Sequence, residues 1–251
     1  MLNTKHFGDD TPGTPLVIAH GLFGSGRNWG VIAKRMSERR PVITVDMRNH
    51  GASFWSDDMS YEAMSADLAE VITPLGESDL LGHSMGGKAS MMAALNGAPV
   101  RRLIAADIAP VGYGHTQAHF IDAMEALNLS EITSRGQADA ALMAHVEDSS
   151  TRAFLLQSIE IKSQSWNLNL TALRAEMPKI IGFPNVSSSF SQPTFFISGG
   201  ASDYVTPEAR PRIRELFPKA RFAKIPGAGH WLHAEKPREF EASVTAFLDA
   251  V

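Results

Sequence analysis

The pentapeptide Gly82-His83-Ser84-Met85-Gly86 is the tightest constraint in this chain. It follows the apolar run Asp79-Leu80-Leu81 and precedes the stretch Lys88–Leu95, rich in small and apolar residues. A serine framed by glycines two before and two after fits a sharp turn from a buried strand into a helix. Side chains at the flanking positions would collide at such a crossing, and glycine has none. The turn would lift the Ser84 hydroxyl off the backbone. It would also aim the Met85 amide, at the helix N-terminus, toward a developing oxyanion. The same stretch matches most of a phosphate-binding loop, Gly82 through Gly87-Lys88. That reading fails at Ala89, where a hydroxyl residue has to hold Mg²⁺. Ser90 is one position late, about 100° further round the helix.

The strands and helices around this turn predict an α/β architecture. Pro15–His20 and Pro41–Asp46 are short apolar runs ending at a polar residue and a glycine-containing loop, as buried parallel strands do. Segments around 79–83, 102–110, 193–200 and 220–230 continue the series. Between them lie helical patterns. Met64, Leu68, Val71 and Ile72 share one face behind a Ser60 cap. Thr206-Pro207 starts another helix, and Lys236-Pro237 opens a last one with Phe240, Val244, Phe247 and Leu248 on its apolar side. From 111 to 191 no buried strand is predicted, only helical stretches such as those around 118–129 and 151–160. The expected organisation is a core of 1–110 and 192–251 with a helical cap, 111–191, inserted between two strands.

Composition narrows the function. The chain has 251 residues and a formal net charge of −4, with no strong basic run, so extended nucleic-acid binding is not expected. It has 0 cysteines, which removes thiolate metal sites, disulfides and cysteine nucleophiles. No apolar stretch approaches the ~18 residues of a membrane span. The first fifteen residues are polar and turn-rich and do not read as a signal peptide. A cytoplasmic protein is the expectation. No histidine pair comes with a convincing third ligand, so no metal is expected.

Two further segments support the nucleophile reading. His20-Gly21-Leu22-Phe23-Gly24-Ser25 follows the first parallel strand and can supply a second oxyanion donor, Leu22 N–H first and Phe23 N–H next. Gly227–Pro237 places His230, with Trp231 beside it, in a loop between the last strand and the last helix. A serine needs a base, and the base an orienting acid. Ser84 and His230 fill the first two roles. Asp203, after the 193–200 strand, and Asp107, at the end of the 102–107 run, are the candidates for the third. Asp46 precedes the serine and is expected to fix loop architecture together with Arg48, Asn49 and His50. His20, His83 and His233 are expected to be structural.

Taken together, His20–Ser25, Val45–Gly51, Gly82–Ala89, Asp107–Val111, Gly199–Val205 and Gly227–Pro237 resemble the α/β-hydrolases over the whole chain. They are most similar to YbfF-like bacterial esterases and related abhydrolase-domain proteins. The order serine, acid, histidine fits that pattern. The resemblance implies hydrolysis of carboxylic esters or acyl thioesters, acyl-CoA included, without metal or organic cofactor. It also implies that close relatives use the earlier acid position, Asp107, with a serine near the histidine where Ser202 falls. Because Asp203 is present at the usual superfamily position, it is the favoured acid. Phe120, Met124, Leu127, Phe154 and Trp166 are the apolar candidates for a substrate pocket in the cap. Lys88, Arg101 and Arg102 are expected to form a solvated basic surface, with attraction for coenzyme A phosphates as the alternative. Other serine-triad chemistry (C–C hydrolysis, lyase or perhydrolase reactions) and a catalytically silent binding protein are the competing functions. A haloalkane dehalogenase would need aspartate where Ser84 stands.

Overall fold

The computed structural model describes residues 1–250. Its strands are β1 (Asn3–Phe7), β2 (Leu16–Ala19), β3 (Val42–Asp46), β4 (Ser78–His83), β5 (Val100–Ala106), β6 (Ile159–Glu160), β7 (Ser165–Trp166), β8 (Thr194–Gly199) and β9 (Ala220–Ile225). Seven of them form one sheet in the order β1-β3-β2-β4-β5-β8-β9. Only β1 runs antiparallel, against β3; the other pairings are parallel.

Alternation along the strands sends successive side chains to opposite faces, and both faces are covered. Val17, Ile43, Leu80 and Leu103 join one core with Met64, Leu68 and Met92 of the helices Tyr61–Ile72 and Met85–Leu95. Leu16, Ile18, Leu81, Ile104 and Ile197 join the other with Trp29, Ile32, Phe240 and Val244. The Ser60 side chain caps its helix by accepting from Ala63 N, and Phe240, Val244, Phe247 and Leu248 are the buried stripe of the C-terminal helix Pro237–Asp249.

Two elements differ from expectation. The polar N-terminus carries β1. It is an edge strand with Asn3, Lys5 and His6 exposed, so it lacks the apolar run that marks a central strand. The segment between β5 and β8 carries helices and also the two-residue strands β6 and β7, paired as Ile159 with Trp166 and Glu160 with Ser165.

The basic residues near β5 are not a solvated surface. Arg102 is buried and places Nε 2.6 Å and Nη2 2.5 Å from the two oxygens of Asp79, and it also donates to Leu248 O. Arg40 adds a contact of 3.0 Å to the same carboxylate. Burial pushes the Asp79 carboxyl up, against the pull of Arg102. Arg101 alone of the three is exposed, and it donates to Thr14 Oγ1. Removing one partner of a buried ion pair costs about 3–5 kcal/mol. Asp79→Ala is therefore expected to lower stability by an amount of that order, read as a shifted urea midpoint at unchanged slope.

Candidate active site

Ser84 sits between β4 and the helix Met85–Leu95 with φ 52° and ψ −120°, a conformation that L-residues rarely adopt. The flanking glycines make this turn possible. A Cβ on Gly82 would lie 2.3 Å from Gly86 O, and a Cβ on Gly86 would lie 2.4 Å from His20 O. The turn is held by Ser84 N donating to Ala106 O (3.1 Å) and Lys88 N donating to Ser84 O (3.0 Å).

At the ends of β2 and β3, buried histidines hold the loop beside this turn. His20 Nε2 accepts from Met47 N (2.9 Å), while Nδ1 lies 2.7 Å from Gly21 O, which assigns the ring proton to Nδ1. His50 does the same: Nδ1 faces Arg48 O at 2.8 Å, and Nε2 accepts from Phe23 N at 3.2 Å. Burial, then the neighbouring His20, pushes His50 down to about 3, so it is neutral at physiological pH. This corrects one expectation. Phe23, held at φ 63°, spends its N–H on His50 and is not an oxyanion donor. The amides of Leu22 and Met85 have no acceptor among the described residues.

The two acid candidates, of which sequence position favours Asp203, differ in their surroundings. Asp203 is exposed and makes no hydrogen bond or ion pair among the described residues. Asp107 lies fully buried at the end of β5, with φ 50°. Its Oδ2 is 2.7 Å from His230 Nδ1 and accepts from Ser202 Oγ at 2.5 Å; its Oδ1 accepts from Gly199 N at 3.0 Å. The cause is the turn after β8. Ala201 N donates to Ala228 O and Ser202 N to Gly199 O, which folds Ser202 back onto Asp107 and leaves Asp203 in solvent. Gly199 permits the approach, since a Cβ there would lie 2.2 Å from Gly229 O in the histidine loop.

His230 is further fixed by its neighbours. Its carbonyl oxygen accepts from His83 Nε2 at 2.8 Å, and its ring stacks on Tyr204 with centroids 4.0 Å apart. Trp231 lies against Phe154, 5.4 Å between centroids. Ser84 Oγ makes no hydrogen bond to His230 in this structure, though both line one cavity. In free enzymes such contacts are commonly long and tighten around substrate.

That cavity encloses about 330 Å³. Leu22, Ser84, Met85, Phe120, Phe154 and Trp231 are among its walls. Met124 and Trp166 are not, which corrects their assignment to the pocket. Met124 is fully buried, and Trp166 Nε1 donates to Met124 O at 3.1 Å, so the pair packs into the hydrophobic core and not the cavity wall. Leu127 belongs to the same core. Lys88 was expected at a solvated surface but is buried and lines the cavity. Sequence patterns missed Tyr113 and Tyr204, because a single aromatic in a loop has no period to betray it.

Asp46 is committed elsewhere. It accepts from Gly26 N, Asn3 Nδ2 and Ala52 N, and these bonds outweigh burial and hold its carboxyl below the usual range. His233 stacks on Trp29 at 4.2 Å, and burial pushes it down to about 3. No group of three His, Asp or Glu among the described residues could hold a metal ion, and no described helix is long and apolar enough to cross a membrane.

A strained serine turn on a mostly parallel sheet, with a buried acid–histidine pair beside it, is the arrangement of a hydrolase. Residues 16–243 match the model of the alpha/beta hydrolase family. The chain is 44% identical over 246 residues to the sn-1-specific diacylglycerol lipase ABHD11 of Mus musculus, covering 93% of this chain and 80% of that one. It is 38% identical over 241 residues to the esterase YbfF of Escherichia coli K12, covering 94% and 93%. A solved marine microorganism esterase superposes with a TM-score of 0.92 at 37% identity, over 98% of each chain. This chain belongs to the alpha/beta hydrolase family.

The competing acids are separable without an activity assay. The Nδ1 proton of His230, bonded to Asp107, is expected as a far-downfield ¹H resonance. Asp203→Asn should leave it in place; Asp107→Asn should abolish or shift it strongly upfield.

Proposed function

We propose that the chain hydrolyses carboxylic esters through an acyl-serine intermediate, with Ser84 as nucleophile, His230 as base and Asp107 as orienting acid. The observation that carries this reading is the 2.7 Å contact of the buried Asp107 with His230, which lines the same cavity as the strained Ser84 turn. The names of the mouse and Escherichia coli relatives, a lipase and an esterase, agree with it.

In this mechanism His230 Nε2 takes the Ser84 proton as Oγ attacks the ester carbonyl. The carbonyl oxygen becomes an oxyanion and accepts from Met85 N–H and Leu22 N–H, neither of which has an acceptor among the described residues. One such donor is worth ~10²–10³ in rate. Asp107 keeps the ring proton on Nδ1 and stabilises the imidazolium. His230 then protonates the departing alkoxide. In the second half a water gives its proton to His230, attacks the acyl carbon and releases the acid, and Ser84 recovers its proton.

The cavity volume of about 330 Å³ is at the small end of ligand pockets and favours short acyl chains. Segment 111–191 acts as the cap, contributing Phe120 and Phe154 to the walls. Carboxylic esters are favoured over acyl-CoA thioesters, because Lys88 and Arg102 are buried and leave only Arg101 of the three exposed.

Ser84→Ala is expected to abolish hydrolysis of p-nitrophenyl acetate and butyrate and labelling by a fluorophosphonate, with the fold intact by circular dichroism. Asp107→Asn should lose ~10⁴ in kcat, as loss of the orienting acid does in serine triads. Asp203→Asn should change kcat less than ~2-fold, as an exposed substitution away from the site. Folded Ser84→Ala with near-normal turnover would overturn the mechanism.

A further inference from the structure

Lys88 is the fourth residue after Ser84, one helical turn along, and therefore on the same helix face, about 6 Å further along the axis. The residue is 1% exposed. The ammonium donates to Ile181 O (2.9 Å) and Gly182 O (2.5 Å) at the end of the segment that covers the site. It also lies 4.6 Å from the centre of the Tyr113 ring and 5.7 Å from that of Tyr61. An ammonium has three N–H donors, and two are used by these carbonyls. Neither phenol takes the third: Tyr61 OH donates to Ile180 O, and Tyr113 OH is engaged by Ala109 N and Tyr204 O. No Asp or Glu lines the cavity, and Lys88 has no ion-pair partner among the described residues.

A buried cation without a counter-ion is costly, and burial pushes Lys88 down to about 7. Anchoring a loop needs only donors, which an asparagine or glutamine supplies without that cost. A cation at this depth, opening on the cavity of the nucleophile, has a use if an anion arrives with the substrate.

We propose that Lys88 is a specificity-determining residue that binds a carboxylate at the far end of the acyl group, so that the preferred substrates are half-esters of short dicarboxylic acids. The inference rests on the esterase reading above and adds the substrate class. The acyl carbonyl sits at Ser84. The chain runs along the helix face, and its terminal carboxylate takes the third donor of Lys88. Phe120 and Phe154 contact the methylenes, and the alcohol leaves from the opposite side.

The test compares monoethyl glutarate with ethyl pentanoate, which match in acyl chain length and differ in the terminal group. A pH-stat reads the acid released. The quantity is the ratio of kcat/KM for the half-ester to that for the neutral ester, in wild type, Lys88→Met and Lys88→Arg. A hydrogen bond to a charged group is worth ~10-fold or more in binding, so the wild-type ratio is expected above ~10 near pH 6. Lys88→Met should lower it by at least that factor, and Lys88→Arg should keep it above one. A lysine that only anchors the covering segment would change both esters together and leave the ratio where it was.

The wild-type enzyme also carries the test alone, should Lys88→Met fail to fold. The half-ester carboxylate stays ionised over the range, so the ratio should fall as pH rises through the Lys88 value of about 7. The titratable groups around the ammonium are Tyr61 and Tyr113, both raised by burial, and across the cavity His83, His115, His119, Tyr204 and His230. A ratio below one, a ratio flat with pH, or the same fall with pH in Lys88→Met overturns the assignment to Lys88. Cleavage of neither ester, with no fluorophosphonate label on Ser84, instead overturns the esterase reading, and this inference with it.

Discussion

The close crossing of β4, the end of β2 and the helix Met85–Leu95 is the constraint on which the site depends. Gly86 lies under the carbonyls of Ala19 and His20, and Gly82 lies under the carbonyl of Gly86. At those distances no Cβ fits. The approach holds the backbone of Ser84 at positive φ, and Met85 after it lines the same cavity as Leu22. The strain of a non-glycine residue in that conformation, of order 1–3 kcal/mol, is offset by packing of the helix on the sheet. Ala89, Met92 and Ala93 are almost fully buried there.

Around this crossing, buried imidazoles act as hydrogen-bonding spacers. His20, His50, His83 and His233 are all pushed down by burial, so none is charged at neutral pH. A neutral ring offers one donor and one acceptor at a fixed separation. His20 and His50 use both, tying the 20–25 loop to the end of β3. His83 gives its Nε2 proton to the backbone of His230 and so ties the histidine loop to the serine turn. The site is therefore positioned by backbone contacts at the carboxyl ends of β2, β3, β4, β5 and β8, where loops of a parallel sheet converge.

The 111–191 segment shares one continuous hydrophobic core with the sheet, Met124, Leu127 and Trp166 packing into the cluster that holds Val17, Leu80 and Leu103, and it lines much of the cavity, from Tyr113 and Phe120 to Phe154 and Ile181. Lys88 reaches that segment by holding the carbonyls of Ile181 and Gly182. A side chain that rises from the helix Met85–Leu95 thus ties the serine turn to the segment that covers the cavity.

The sequence by itself determined the fold and the local turn. Apolar runs of strand length between amphipathic stretches predict a parallel sheet because burial on both faces leaves that pattern. The Gly82 and Gly86 spacing predicts the serine turn because only glycine tolerates the crossing. The polar edge strand β1 escaped, since three of its five residues are exposed and none is fully buried. Choosing among residues of one type was left to the tertiary structure. Asp107 and Asp203 both follow strands, and only the turn at Ala201-Ser202 shows which carboxylate meets His230. Leu22 and Phe23 are adjacent amides, and only His50, 27 residues away from Phe23, removes one of them. Met124 and Phe120 lie on one short helix, and only its packing decides which faces the cavity. Lys88 reads as surface in one dimension, because charge implies solvent until the covering segment is in place. These choices rest on contacts between residues far apart in the chain, which short-range periodicity does not encode.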